Sequence, residues 1–341
     1  MAKSTSIHAN PPASLKDIAR ELDVSFSLVS KVLSGRMGTT GASASVKEAI
    51  IRKAKEMNYR PNPLATALKQ GRKGAVGALI HPMGLRGGEH ISDFIKGLSS
   101  GLDDSGLRLW LRIFETDDEF ARHFDQRARN DVDGLIVAGV SHPSTYEMVR
   151  SLHRDGLPIV TSFEYDHIEG IPNVRKDNLR SCYLTTQHLL ASGRRRLAHF
   201  KTIQPRYEGF LAAHAQARIP TDPRLTIDCS DQFDYNAGVT AASALLDTGL
   251  DFDGIVAQSD HQAVGAIQEL LRRGKRVPED VSVTGVDDSA LCDVCVVPIT
   301  SVTSEMEAIG RKTAVLLALK IQGQTPASVV LEPRLVLRTS G

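Results

Sequence analysis

The chain has 341 residues, with 41 basic and 40 acidic side chains and an apolar share that is ordinary for a globular protein. This length fits two or more packed units, and no run approaches the roughly 20 apolar residues that a membrane helix needs. The N-terminal segment lacks the apolar core of a secretory signal and the chain has only four cysteines, so we expect a protein of the reducing cytoplasm with no membrane association.

Charge is distributed unevenly along the chain. Residues 1–73 carry 13 basic and 5 acidic side chains, whereas the remainder carries 28 basic and 35 acidic ones. A basic head on an acidic body indicates that only the head meets a polyanion. The alternative is a solvated pair of basic helices.

Three short helices are predicted after a polar segment, residues 1–13, that we expect to be disordered. Ser14 is the expected N-cap of the first helix and Ser25 that of the second. Asp23 lies in the turn between them, where Asp tolerates a left-handed backbone better than most residues. Two helices joined by a short turn and supported by a third form the helix-turn-helix plan. The third helix follows a loop at residues 35–44, and its expected buried residues are Val46, Ile50, Ile51, Ala54 and Met57.

The second helix is the element expected to enter a DNA major groove, because the N-terminal residues of that helix touch base edges in a helix-turn-helix. Its outward residues are Phe26, Ser27, Ser30 and Lys31. A phenyl ring packs against a thymine methyl, a serine hydroxyl bonds a base or a phosphate, and a lysine reaches guanine O6 and N7. The alternative for Phe26 is a place in the core. Four apolar residues already fill the inward face: Val24, Leu28, Val29 and Val32.

Residues 62–73 form a connecting segment with helical potential, bracketed by proline and glycine. Leu68 is expected to be an exposed apolar side chain on a short helix. A leucine in that setting can wedge between base steps in the minor groove and kink the duplex. The alternative is a plain linker.

From residue 74 onward, short apolar runs alternate with helical stretches, which is typical of parallel sheets covered by helices on both faces. Seven such runs predict two sheets and therefore two lobes. The tail breaks the alternation and is expected to let the chain cross back between the lobes. The seven runs are AVGALIH, LRLWLRIF, DGLIVAGV, LPIVTSF, RLAHF, DGIVAQS and VSVTGVD.

These motifs, in this order and spacing, resemble the lactose-repressor (LacI/GalR) family. The head reads SLKDIARELDVSFSLVSKVLSG and then KEMNYRPNPLATALKQGRKGAVG, and the body contains DVDGLIVAGV, SGRRRLAHF, RYEGFLAA and SDHQAVGAIQELLRRGKRVPEDVSVTGVDDS. The resemblance runs from about Ser14 to the last residue. It implies an α/β protein with an N-terminal helix-turn-helix head and a periplasmic-binding-protein-like, two-lobed effector domain with parallel sheets. The loop at residues 35–44 is a few residues longer than is usual in the family.

The resemblance also implies domain boundaries. The helix-turn-helix domain is expected at 14–61, a hinge helix and linker at 62–73, and an effector-binding and dimerisation domain at 74–341. Lobe 1 is expected to comprise about 74–171 plus 301–325, and lobe 2 about 172–300 plus 326–341.

Two sets of site residues follow from the resemblance. Arg206 matches an arginine that grips effector hydroxyls or carbonyls, Asp260 an acidic partner on the second lobe, and Phe233 an aromatic that stacks on the ligand. The alternatives are a surface position for Arg206 and an N-cap role for Asp260. The expected DNA-binding residues are Ser25, Phe26, Ser27, Ser30, Lys31, Leu68 and Lys69. The expected effector-binding residues are His81, Phe94, Phe163, Arg206, Phe233 and Asp260.

An enzyme and a sugar-binding transport protein are the two alternatives to a regulator. The only feature that favours an enzyme is the pair of adjacent carboxylates, Asp287 and Asp288. The sequence lacks the common phosphate-binding, nucleophile-elbow and zinc motifs of enzymes. A sugar-binding transport protein is opposed by the basic head and by the missing signal. Cys292 and Cys295 form a lone C-x-x-C, which is a weak metal signal, and no metal and no cofactor are predicted. A position in a loop near the lobe boundary is expected for both, with a redox role as the alternative.

We therefore predict a transcriptional regulator, expected to repress, that binds a pseudo-palindromic operator in double-stranded DNA as a homodimer. Its effector is expected to be a sugar or sugar derivative held between the lobes, with a purine or nucleoside as the alternative. Induction and corepression both stay open. No heptad repeat follows the last strand, which favours a dimer over a zipper-built tetramer.

Overall fold

The computed structural model describes residues 13–33, 42–59, 71–81, 88–103, 105–123, 126–139, 143–163, 168–230 and 232–341. The chain divides into two compact units, Met1–Arg72 and Lys73–Gly341. Leu68 and Lys69, with most of the predicted hinge, most of the loop 35–44 and nearly all of the segment 1–13, lie outside the described residues.

Three helices form the N-terminal unit: α1 (Leu15–Glu21), α2 (Phe26–Leu33) and α3 (Ala44–Glu56). Ser14 caps α1 as predicted, in a reciprocal capping box with Asp17. Asp23 has a φ of 49°, which confirms the left-handed turn between the first two helices. The small core of this unit contains Ile18, Ala19, Val29, Ile50 and Ala54.

The buried face of α3 differs from the prediction at one position. Ile51 is 46% exposed, so its predicted burial is wrong. Successive residues of an α-helix are rotated by about 100°, and Ile50 already takes the inward position. Val46 and Met57 pack at the margin of the core.

The second unit contains ten described helices and twelve strands. The strands are β1 (Ala75–Ile80), β2 (Arg108–Ile113), β3 (Gly134–Ala138), β4 (Ile159–Ser162), β5 (Asn173–Lys176), β6 (Leu197–Lys201), β7 (Thr226–Asp228), β8 (Gly254–Val256), β9 (Ser282–Thr284), β10 (Ser301–Val302), β11 (Val329–Leu331) and β12 (Leu335–Val336). The helices are α4 (Gly88–Asp103), α5 (Asp117–His123), α6 (Gln126–Asp131), α7 (Pro143–Arg154), α8 (Asn178–Ala191), α9 (Gln204–Ala217), α10 (Tyr235–Asp247), α11 (Asp260–Arg272), α12 (Leu291–Val294) and α13 (Met306–Ile321). Among the described helices, none has both the length and the apolar character to cross a bilayer.

Two parallel sheets organise these elements into two lobes. The first has the strand order β11-β5-β4-β3-β1-β2, and the second has the order β7-β6-β8-β9. A short antiparallel pair, β10 with β12, lies beside the end of β9, where the backbone N–H of Gly285 donates to the carbonyl of Thr300 at 2.9 Å. All seven apolar runs of the sequence are strands, so the predicted α/β fold class is confirmed. The strands β5 and β7 were not predicted, because they have only four and three residues and a mixed composition.

The strand pairing corrects the expected lobe boundaries. β5 pairs with β4 and with β11 inside the first sheet. Residues 173–176 and 329–331 therefore belong to the first lobe, although the sequence analysis assigned them to the second. The chain passes between the lobes three times: after β5, between β10 and α13, and between β11 and β12.

Candidate functional site

The outward face of α2 is the first candidate surface. Phe26 is 45% exposed, which excludes the alternative that its ring lies in the core. Ser25 and Ser27 are exposed, and Ser30 and Lys31 are half-buried. The Ser25 hydroxyl accepts a hydrogen bond from the backbone N–H of Leu28 at 3.2 Å and so fixes the start of the helix.

A second candidate site lies in the two-lobed unit, at the carboxyl ends of its parallel strands. Ligands of open α/β sheets bind outside these ends, because the connecting loops converge there. Lys176 ends β5 in the first lobe, while Gln258 and Asp260 follow β8 and Asp287 follows β9 in the second. Several of these side chains are buried although they are charged.

Arg206 lies in the first turn of α9 and is only 8% exposed, which excludes a surface position. Its Nε donates to Oδ1 of Asn178 at 2.9 Å, and one Nη donates to the carbonyl of Gln258. The ring of Phe233 lies 5.6 Å from its Cζ. The structure therefore brings the predicted arginine and the predicted aromatic residue together.

Gln258 holds the carbonyl that Arg206 uses. Its side-chain oxygen accepts from the backbone N–H groups of Thr202 and Ile203 at 3.2 and 3.3 Å. Its amide nitrogen lies 2.7 Å from Nε2 of His199. Burial lowers the pKa of His199 to about 3, so this imidazole is neutral and can accept that amide hydrogen. No motif in the sequence indicated that Gln258 and His199 support Arg206 in this way.

Asp260 is 1% exposed and is the first residue of α11, while Ser259 is the N-cap. The predicted N-cap alternative for Asp260 is therefore wrong. Its Oδ2 accepts from the backbone N–H of Ser289 at 2.7 Å, and its Oδ1 accepts from the hydroxyl of Ser301 at 2.6 Å. Burial, assisted by the nearby charge of Asp287, raises the pKa of the Asp260 carboxyl to about 6. Among the described residues, Asp260 forms no ion pair with Arg206.

The predicted residues of the first lobe lie in different surroundings. Nε2 of His81 lies 3.2 Å from the carbonyl of Glu115. Phe94 is fully buried in the core of this lobe and Phe163 is 8% exposed, with their rings 4.9 Å apart. No contact of these three side chains with Arg206 is found in the described part of the chain. Contact between Phe94 and an effector requires that the ring become exposed.

An ion-paired triad, not predicted from the sequence, joins the two lobes. Nζ of Lys176 lies 2.9 Å from Oδ1 of Asp287, and Nε2 of His90 lies 3.5 Å from Oδ2. The side chain of Lys176 is 5% exposed and that of Asp287 15%. Asp287 was noted in the sequence only as one of two adjacent carboxylates. We call His90, Lys176, Arg206, Asp260 and Asp287 together the cleft cluster.

The titration of the triad reflects burial and mutual attraction. Burial opposes ionisation of Asp287, but Lys176 and His90 hold the pKa of its carboxyl well below the ordinary value. Burial lowers the pKa of Lys176, and the charge of Asp287 only partly offsets this. Burial alone would also lower the pKa of His90, but Asp287 raises it above the ordinary value. The cleft cluster is therefore suited to bind a polar ligand through charge and hydrogen bonds.

The adjacent carboxylates Asp287 and Asp288 have different partners. Asp287 is engaged by Lys176, and Asp288 accepts from Arg338 at 2.8 Å. Each carboxylate has its own cation, an arrangement that holds the loop after β9 in place.

Comparison with known proteins defines the class. A model of the periplasmic binding protein-like domain matches residues 186–341. The HTH-type transcriptional regulator CelR of Thermobifida fusca is 30% identical over 339 residues, which cover 96% of this chain and 98% of CelR. The ribose operon repressor of Halalkalibacterium halodurans is 28% identical over 319 residues, 90% of each protein. The solved CelR–cellobiose complex has a TM-score of 0.72 at 28% identity, covering 96% of this chain and 100% of that one.

A three-helix head and a two-lobed, periplasmic-binding-protein-like body define a transcriptional regulator. The relatives just named are regulators or repressors rather than enzymes. The identity to CelR, which extends over nearly the whole of both chains, shows that this protein belongs to the LacI family of transcriptional regulators. The resemblance seen in the sequence is thereby confirmed.

Proposed function

We propose that the protein binds a pseudo-palindromic operator as a homodimer through α2, and that a small-molecule effector bound at the cleft cluster controls this binding. Repression is the proposed outcome, and the protein acts by binding alone, without catalysis. The observation that carries the proposal is the outward face of α2, with Phe26 45% exposed on the basic part of the chain. Because DNA is the proposed partner, we place the protein in the cytoplasm.

The DNA-facing side of the proposal rests on exposure and charge. Ser27 and Phe26 are exposed in the first turn of α2, and Lys31 lies one turn further along the same helix. Side chains at these positions reach base edges when the helix lies in the major groove. Leu68 and Lys69 stay proposed minor-groove contacts.

The proposal that an effector binds at the cleft cluster rests on Arg206 and Phe233. A guanidinium fork beside an aromatic ring is the combination that binds the hydroxyls and the apolar face of a sugar. The names of the relatives agree with this chemistry, since CelR is solved with cellobiose and another relative is named a ribose operon repressor. A sugar or sugar derivative is therefore the proposed effector, and a purine or nucleoside is the alternative.

The second lobe exposes apolar side chains that a homodimer interface would bury. Val294 and Val296 are 76% and 87% exposed. A two-fold interface that buries these two side chains removes apolar surface from water. Sedimentation analysis is expected to give twice the mass of one chain, and Val296→Asp is expected to shift the population toward monomer. A wild-type monomer at micromolar concentration would contradict the proposed dimer.

Operator selection from a random duplex library tests the DNA side. We expect an enriched sequence with two inverted half-sites, and an affinity that falls steeply as salt rises, because binding releases counterions from the phosphates. Leu68→Ala is expected to weaken binding to the selected operator much more than binding to random duplex. Equal losses on both duplexes would remove the wedge role, and equal affinity for all sequences would overturn the operator itself.

A thermal-shift screen against sugars, sugar acids, sugar phosphates and nucleosides tests the effector side. A ligand at about 100 times its dissociation constant adds about 2.7 kcal/mol to the stability of the folded protein. Arg206→Ala is expected to abolish that shift. Arg224→Ala, which removes an exposed arginine of the same lobe, is the control and is expected to keep it. A shift that survives in Arg206→Ala would exclude this arginine from the site.

A further inference from the structure

Among the described residues, the cations of the cleft cluster have N–H groups that no acceptor uses. The ammonium of Lys176 has three N–H groups, of which one is used by Asp287. The guanidinium of Arg206 has five, and its Nη2 donates to no described residue. By contrast, each carboxylate oxygen of Asp260 and Asp287 already lies against a donor. A ligand that brings acceptors can therefore use the remaining N–H groups of Lys176 and Arg206.

The two buried cations also differ in how they are paired. Lys176 and Arg206 are 5% and 8% exposed, and a buried cation is costly unless it is paired. Lys176 has Asp287 as its partner. Arg206 lies within ion-pair distance of no carboxylate in the described part of the chain. The carboxylate of Asp260 forms no ion pair with Arg206, and its two oxygens accept hydrogen bonds from Ser289 and Ser301 instead.

We propose that the effector carries an anionic group, a carboxylate or a phosphate, that binds between Arg206 and Lys176. This inference rests on the proposed effector site and names its ligand class: an acidic sugar derivative rather than a neutral sugar. A carboxylate accepts two parallel N–H bonds from a guanidinium, and a phosphate oxygen offers the same acceptors. The ring of Phe233 beside Arg206 then contacts the sugar.

The competing interpretation is that Lys176 serves only to neutralise Asp287. The two interpretations differ when both charges are removed together. The double variant Lys176→Met/Asp287→Asn removes both members of this ion pair, so neither charge is left buried without its partner. If Lys176 only neutralises Asp287, this variant binds an acidic ligand as well as the wild type does. If Lys176 binds the anion, the affinity falls.

Isothermal titration of the full chain with matched ligands is the test. The panel comprises glucose, glucuronate and glucose 6-phosphate, then galactose and galacturonate, then ribose and ribose 5-phosphate. We expect at least one acidic member to bind about tenfold or more tightly than its neutral parent. Tighter binding of the uronate in a set assigns a carboxylate effector, and tighter binding of the phosphate assigns a phosphorylated one.

The variants locate the interaction. We expect Lys176→Met/Asp287→Asn to bind the preferred acid roughly ten- to a hundredfold more weakly, while circular dichroism confirms the fold. Lys275→Met, which removes an exposed lysine of the second lobe, is the matched control and is expected to leave the affinity unchanged. Unchanged affinity in the double variant would overturn the role of Lys176.

The outcomes separate this proposal from the proposed function. Neutral sugars that bind as tightly as their acids overturn the anionic effector and leave the sugar-controlled regulator intact. A protein that binds its selected operator but none of the acids or phosphates also overturns the anionic effector. Failure to select any operator overturns the proposed function, whereas the acid-to-neutral ratio still decides the ligand class.

Discussion

The outward face of α2 and the cleft cluster place their polar side chains in opposite environments. Phe26 is 45% exposed, whereas Lys176 and Arg206 are 5% and 8% exposed. A solvent-exposed side chain contributes little to the stability of the fold. A buried charge, by contrast, must be paired with an opposite charge or hydrogen-bonded inside the fold. Substitutions on α2 should therefore change binding alone, while substitutions in the cleft cluster should change binding and stability together.

The largest expected effect is that of Asp287→Ala on stability. The substitution leaves Lys176 buried without its carboxylate, which costs about 3–5 kcal/mol for a buried pair. Urea unfolding at pH 7 measures this loss. Asp251→Ala removes a carboxylate that is 91% exposed and serves as the control, with little change expected. Equal midpoints for the two variants would show that the triad does not stabilise the fold.

The pH dependence of stability isolates Asp260. Its folded pKa of about 6 lies above the ordinary value of a free Asp, so between these values the folded chain holds a proton that the unfolded chain has lost. The contribution of Asp260 therefore falls by about 2–3 kcal/mol as the pH rises from about 4 through 6. The difference in unfolding free energy between wild type and Asp260→Asn should follow this fall. A difference that is constant with pH would show that the Asp260 carboxyl has the same pKa in the folded and the unfolded chain.

Lys31→Ala should weaken base discrimination by about 1–3 kcal/mol at one position of each half-site. The thermal midpoint should stay close to that of wild type, because Lys31 is not part of the head's core. Binding to an operator library measures the discrimination. Lys55→Ala, on the exposed side of α3, is the control and should keep the base preferences. A uniform loss across sequences in Lys31→Ala would reassign that lysine to a phosphate contact.

Phe26→Ala is expected to cost only about 1 kcal/mol or less of stability, despite the loss of a large ring. Phe94→Ala removes a ring of the same size from a fully buried position and should cost about 3–5 kcal/mol. Unfolding of both variants under one set of conditions gives the comparison. A large loss for Phe26→Ala would place its ring in the packed part of the head.

Local features of the chain were predictable because they depend on near neighbours in sequence. The cap at Ser14 needs only Asp17, three residues away, and the positive φ of Asp23 follows from its place in a tight turn. The seven long apolar runs gave the strands for the same reason. By contrast, β5 (NVRK) and β7 (TID) mix charged and apolar residues, so no apolar run marks them and they were missed.

The composition of the cleft cluster was less predictable because its contacts join distant segments. Lys176 and Asp287 are 111 positions apart, and the donors to Asp260 lie 29 and 41 positions away. No local pattern indicates that Asp260 will bind Ser301 rather than Arg206. The role of Arg206 was predicted from the resemblance to the family, whereas no motif identified Lys176 as a site residue.

Because the chain passes between the lobes three times, the two lobes receive their last elements at different times during synthesis. The first sheet contains β1 to β5, but its outer strand β11 and the packing helix α13 come from residues beyond 300. Met306, Ile309 and Leu317 fill the same core as Val76 and Phe94. A ribosome-bound chain thus makes every strand of the second sheet before the first lobe can close its core. The first lobe is therefore the first to be synthesised in part, but it can complete its core only after the second sheet has been made.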